Sequence, residues 1–96
     1  MPLISTSEIT LPEAEKILFK LCKHYAIKVP VVFDSIHADI AFPIGRCRIS
    51  REGDLLRMRC EADSAAKLER VQLVMDEHLE LMARRKALPI AWHRQA

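Results

Sequence analysis

The chain has 96 residues, half of them apolar, with 15 basic and 13 acidic side chains and a net charge of +2. This composition fits one globular domain and excludes a disordered chain, and the weak global field leaves any electrostatic steering to local clusters. Only two glycines are present, which argues against long irregular loops. The first residues, Met1-Pro2-Leu3-Ile4-Ser5-Thr6, have no basic region and no long apolar core, so no signal peptide is expected. Apolar runs reach about five residues, against roughly 20 for a membrane-spanning helix.

In chain order, residues 3–9 predict a strand, carried by Ile4, Thr6 and Ile9. Thr10-Leu11-Pro12-Glu13 matches a capping box, with proline tolerated in the first helical turn. Ala14, Ile17, Leu18, Leu21, Cys22 and Tyr25 then form one apolar helical stripe, and Pro30 stops that helix. Residues 31–34 predict a short strand, 34–37 a turn, and 38–42 a returning strand with Ile40 and Phe42 inward and Asp39 outward. Pro43-Ile44-Gly45 connects to a hairpin.

In the hairpin, Cys47 and Ile49 alternate with Arg46, Arg48 and Ser50, and Leu56, Met58, Cys60 and Ala62 alternate with Leu55, Arg57, Arg59 and Glu61. A turn built on Arg51-Glu52-Gly53-Asp54 would set Arg48 opposite Arg57 and Arg46 opposite Arg59, with Ile49 facing Leu56 and Cys47 facing Met58. Four arginines then share one outward face. Like charges opposed across strands are destabilising, so either carboxylates interleave, Asp39 and Glu61 being nearest, or the face meets an anion.

Asp63 is the expected N-cap of a second helix over residues 64–87. Its stripe is Leu68, Val71, Met75, His78 and Met82, broadened by Val74, Leu79 and Leu81. Arg84, Arg85 and Lys86 would complement the macrodipole in its last turn, and Pro89 ends it. Ile90-Ala91-Trp92 reads as a short terminal strand or docked extension. The expected class is α+β: an antiparallel sheet with two helices on one face, in the order β-α-β-β-β-β-α plus a short C-terminal extended segment. That order is similar in shape to the helix-grip arrangement of TATA-binding-protein-like domains.

Three cysteines form an odd set without framework spacing. Cys22, Cys47 and Cys60 all fall on expected apolar faces, which predicts buried free thiols and a reducing, cytoplasmic setting. Cys22 and His24 are two apart and diverge on a helix, and neither C-x-x-C nor H-x-x-x-H occurs, so no metal site is nominated. His78 is expected to be buried on the sheet side of the second helix, and His37 and His93 to be exposed. No nucleophile elbow, P-loop or dinucleotide fingerprint is present. No catalytic residue or cofactor is nominated, and nothing points to an enzyme.

The segments Leu21-Cys22-Lys23-His24-Tyr25-Ala26-Ile27-Lys28-Val29-Pro30 and Ile40-Ala41-Phe42-Pro43-Ile44-Gly45-Arg46-Cys47 carry a family resemblance, as do the basic end of the second helix and Ile90-Ala91-Trp92. The chain resembles the bacterial family named domain of unknown function 2218. Where many members have a glycine before the third strand, this chain has His37 and Ala38. The resemblance supplies no catalytic residues. It implies an association with siderophore-interacting flavoproteins, and through them with iron acquisition.

The leading expectation is a small binding or accessory module linked to ferric-siderophore use. In it, Arg46, Arg48, Arg57 and Arg59 hold an anionic ligand or an acidic partner surface. A nucleic-acid binder using the same face is a second reading, opposed by the lack of outward aromatics on which bases would stack. A structural homodimer formed through the sheet edge or face is the third. No membrane partner is expected.

Overall fold

A computed structural model describes residues 2–84 and 88–95. The elements are β1 (Leu3–Thr10), α1 (Ala14–Ala26), β2 (Val31–Phe33), β3 (His37–Phe42), β4 (Gly45–Glu52), β5 (Leu55–Ala62), α2 (Ala65–Ala83) and β6 (His93–Arg94). The strands form one antiparallel sheet in the order β2-β3-β4-β5-β1-β6. The α+β class and the element order expected from periodicity therefore hold. The first strand enters between the fifth and the last, so α1 crosses the back of the sheet to reach the far edge at β2. It packs over β2 and β3, while α2 packs over β4, β5 and β1.

The core lies between the helices and one sheet face. All six stripe residues of α1 are buried, and α2 buries Leu68, Val71, Met75 and Leu79. The sheet contributes Ala38, Ile40, Cys47, Ile49, Leu56, Met58, Cys60 and Ala62. Each fully buried large aliphatic side chain contributes roughly 1.5–3 kcal/mol of transfer free energy. The three thiols are free and buried. Burial pushes the Cys22 thiol up to about 11. The Cys47 thiol is raised by its hydrogen-bonded contact with the Cys60 thiol, sulfur to sulfur 3.7 Å, which favours the neutral pair, and by burial. These groups act as small hydrophobes.

Several local expectations are corrected. The β4–β5 hairpin is shifted by two residues: Arg48 faces Arg59, Arg46 faces Glu61, Ser50 faces Arg57, Ile49 faces Met58, and Cys47 faces Cys60. The turn is the tighter one, Gly53-Asp54, with Gly53 at φ +60° and Asp54 outside the positive-φ residues. Glycine at the first central position suits a II′ turn, whose twist matches the strands. A shift of two leaves every side chain on its own face, so the outward arginines stay outward. Arg51 instead lies on the inward face at the rim of the core. Its guanidinium donates to the Ser35 and Gly53 carbonyls, both at 2.8 Å, and ties two turns together.

The expected capping box does not form. Thr10 is still strand, and Glu13 stands at the start of α1 in a left-handed conformation without a side-chain cap. The amides are met from outside: Leu11 N–H donates to the Asp54 carbonyl (2.9 Å) and Ala14 N–H to its Oδ1 (3.4 Å). The cap of α2 is Ser64 rather than Asp63, its hydroxyl accepting from Lys67 N–H at 3.2 Å. That helix ends at Ala83, with Arg84 as its left-handed C-cap; Arg85 and Lys86 lie outside the described residues. The terminal strand is His93–Arg94, three residues later than Ile90-Ala91-Trp92, which takes the other expected form, a docked extension. His78 is half-buried, in the seam between the two helices rather than against the sheet.

Polar contacts tie β1, α2 and the C-terminal segment together. Ser5 Oγ–H donates to Gln72 Oε1 (2.6 Å) and Ser7 Oγ–H to the Ala91 carbonyl (2.7 Å); both serines are almost fully buried. Trp92 Nε1–H donates to Asp76 Oδ1 at 2.8 Å. Burial, followed by repulsion from Glu80 and Glu77, holds the Asp76 carboxyl above its usual value against the opposing Trp92 bond. The folded state therefore binds this proton more tightly than the unfolded chain. The resulting stability is full below about pH 3.9 and is lost as pH rises through the raised value. Asp76→Asn keeps the acceptor oxygen and removes the charge. Its melting temperature at pH 7 is expected to equal or exceed the parent's, with the gap closing below about pH 4. A lower melting temperature at pH 7, read by circular dichroism, would refute this assignment.

Candidate functional site

The face of the sheet opposite the helices carries the arginines. Backbone pairing sets them in cross-strand rows. The central row runs Asp39, Arg48, Arg59, Thr6, His93 across β3, β4, β5, β1 and β6. On one side lies Ala41, Arg46, Glu61, Ile4, and on the other His37, Ser50, Arg57, Glu8. Adjacent positions in a row are about 5 Å apart. All four nominated arginines share this face, and each is about half exposed.

Carboxylates interleave, as one branch of the sequence argument required. Asp39 bridges Arg46 (3.2 Å) and Arg48 (3.4 Å). Glu61 lies 3.6 Å from Arg59. Two carboxylates were missed. Glu52 accepts a hydrogen bond from Arg57 Nη1–H at 2.9 Å, and Glu8 lies 3.8 Å from the same guanidinium. Both follow from topology. Glu8 meets Arg57 because β1 joins β5, and Glu52 comes within reach because the turn is tight. Apart from the Arg57–Glu52 bond, the contacts run from 3.2 to 3.8 Å through Nε, without the bidentate fork that makes an arginine–carboxylate pair strong. Exposed pairs of this kind contribute about 0–1 kcal/mol each and exchange readily.

The pair that folding does not call for is Arg48 and Arg59, directly opposed at the centre of the face. Two shallow hollows meet at Arg59. One, of about 440 Å³, is bordered by Val32, His37, Asp39, Arg48 and Ser50. The other, of about 550 Å³, is bordered by Thr6, Glu8, Arg57, Pro89 and His93, so the C-terminal segment walls it. His93 and Thr6 extend the donor row beyond Arg59; neither was nominated from sequence. Thr6 Oγ1 also accepts from Gln95 Nε2–H at 3.2 Å. No phenylalanine, tyrosine or tryptophan occupies the outward positions of these rows.

Among the described residues, no group of three or more His, Cys, Asp or Glu gathers to hold a metal ion. No described helix is long and apolar enough to cross a membrane. The charged groups of the face can orient and neutralise an anion.

The chain is similar along 95% of its length to a solved structure, the NMR structure of PA4090 from Pseudomonas aeruginosa, at 28% identity and a TM-score of 0.81, with 95% of that chain covered. No curated protein matches it. The family model described as "Uncharacterized protein conserved in bacteria (DUF2218)" matches residues 6–93. The match runs from within β1 to the first residue of β6, and the chain belongs to this bacterial family, domain of unknown function 2218.

Proposed function

We propose that this protein is a binding module that receives a carboxylate-bearing ligand or acidic partner surface on its helix-free sheet face, with Arg48 and Arg59 as the centre of contact. The observation that carries this reading is the direct opposition of those two arginines on adjacent strands. Their repulsion is a local cost that a bound anion would reverse. Arg46 and Arg57 flank the pair and exchange a loose carboxylate partner for the incoming one. Guanidinium groups suit this role because their donors match a carboxylate in pairs. The physiological setting we propose is the ferric-siderophore link that the family resemblance implies, a polycarboxylate chelator being one ligand of the required chemistry. Nucleic acid fits less well, because the face interleaves carboxylates with its cations and offers no stacking ring.

Citrate serves as the probe in an NMR titration. The expected result is shifts concentrated on Arg46, Arg48, Arg57 and Arg59, weakening as salt rises. Saturation without shifts on this face, or a stronger response to single-stranded RNA, would replace the proposal.

A further inference from the structure

The helical layer carries a second arrangement, remote from the arginine face. His24 on α1 and His78 on α2 stand with ring centroids 4.9 Å apart and planes tilted by 42°. His78 Nδ1 lies 2.8 Å from the Val74 carbonyl oxygen, one turn earlier on the same helix. A carbonyl only accepts, so Nδ1 carries the hydrogen and Nε2 keeps its lone pair in the neutral ring. A backbone carbonyl on one ring nitrogen is the support that orients imidazole ligands in metal sites.

The spacing agrees with two rings sharing one ion. Metal–nitrogen bonds of about 2.0–2.1 Å place each ring centre about 3.2 Å from the metal, and a near-tetrahedral angle then separates the centres by about 5 Å. Tyr25 holds the two helices at this distance. Its ring stands 4.9 Å from His78, and its hydroxyl donates to the Val74 carbonyl at 3.2 Å. Its commitment there leaves the two imidazoles as the ligands.

We infer that His24 and His78 form a two-imidazole site for a divalent late transition metal, with water completing the coordination. Two imidazoles favour zinc, nickel and copper over the oxygen-seeking magnesium and calcium. Bridging α1 and α2, the ion stabilises the fold in proportion to its occupancy.

The test uses the untagged full chain and nickel or zinc ions alone. Substoichiometric nickel is expected to broaden the imidazole signals of His24 and His78 before those of His37 and His93, and zinc to raise the melting temperature. His24 is exposed, so His24→Gln leaves the packing in place; it is expected to weaken zinc binding at least about tenfold, as is His78→Gln. Magnesium is expected to do neither. Earlier broadening at His37 or His93, or zinc affinity in His24→Gln within about twofold of the parent, would overturn the site. If His78→Gln fails to fold, the His24→Gln titration and the order of broadening still decide it.

Discussion

Replacing Gly45 with valine is expected to destabilise the fold by about 3 kcal/mol, as overpacking against backbone does. Gly45 opens β4 where it passes the end of β5 and the flank of α2. A Cβ at this position would collide with the Glu61 carbonyl oxygen and sit 3.1 Å from Val71 Cγ2 and 3.2 Å from Ala62 Cβ. Glu61 is paired on both sides, to Arg46 on β4 and Ile4 on β1, so its carbonyl cannot swing clear without breaking two ladders. The glycine of Phe42-Pro43-Ile44-Gly45 thus serves close approach rather than an unusual φ. Urea denaturation measures the loss, and a cost below about 0.5 kcal/mol would show that the approach is looser than described.

Tyr25→Ala is expected to cost about 3–5 kcal/mol, the range for removing a buried aromatic side chain. The ring joins the two helices to the sheet: it meets Phe42 edge-on at 5.1 Å and His78 at 4.9 Å, and is almost fully buried. Tyr25→Phe keeps the ring and removes one hydrogen bond, so about 1 kcal/mol is expected. The Val74 carbonyl would keep its bond from His78. Equal losses in the two variants would mean that the hydroxyl, not the ring, holds the seam.

The faces of the strands were legible because alternation has period two and hydrophobic residues mark one parity. Register was not, because a shift of two preserves every face. Only the turn distinguishes the two pairings, and Gly53-Asp54 is itself a recognised II′ signal. A four-residue turn centred on the same glycine competes with it on sequence grounds. The first strand shows a different limit. Its inward face holds Ser5 and Ser7, which read as polar until Gln72 and the Ala91 carbonyl supply their partners from α2 and the C-terminal segment. The start of α1 was misread because Thr10 and Glu13 imitate a local cap, while the real partner is Asp54, 40 residues beyond Ala14.

The site was legible in the same measure. Four arginines on one face follow from alternation alone. Their pairing depends on register and on which strand adjoins β5. The opposed pair is therefore Arg48 with Arg59, and Arg57 instead bonds Glu52. Thr6 and His93 join the central row only through β1 and β6, placements that no local pattern encodes.

The most direct test of anion binding at the centre of the face is the double variant Arg48→Thr with Arg59→Thr, measured for citrate binding and thermal unfolding at low and high salt. Threonine suits the strand, and Asp39 keeps Arg46 at 3.2 Å. Removing the opposed pair relieves between a few tenths and about 1 kcal/mol of repulsion, less at high salt. The expected result is a protein as stable as the parent or slightly more so that no longer binds citrate. A less stable variant with unchanged binding would contradict the assignment and leave the arginines as a structural charge network.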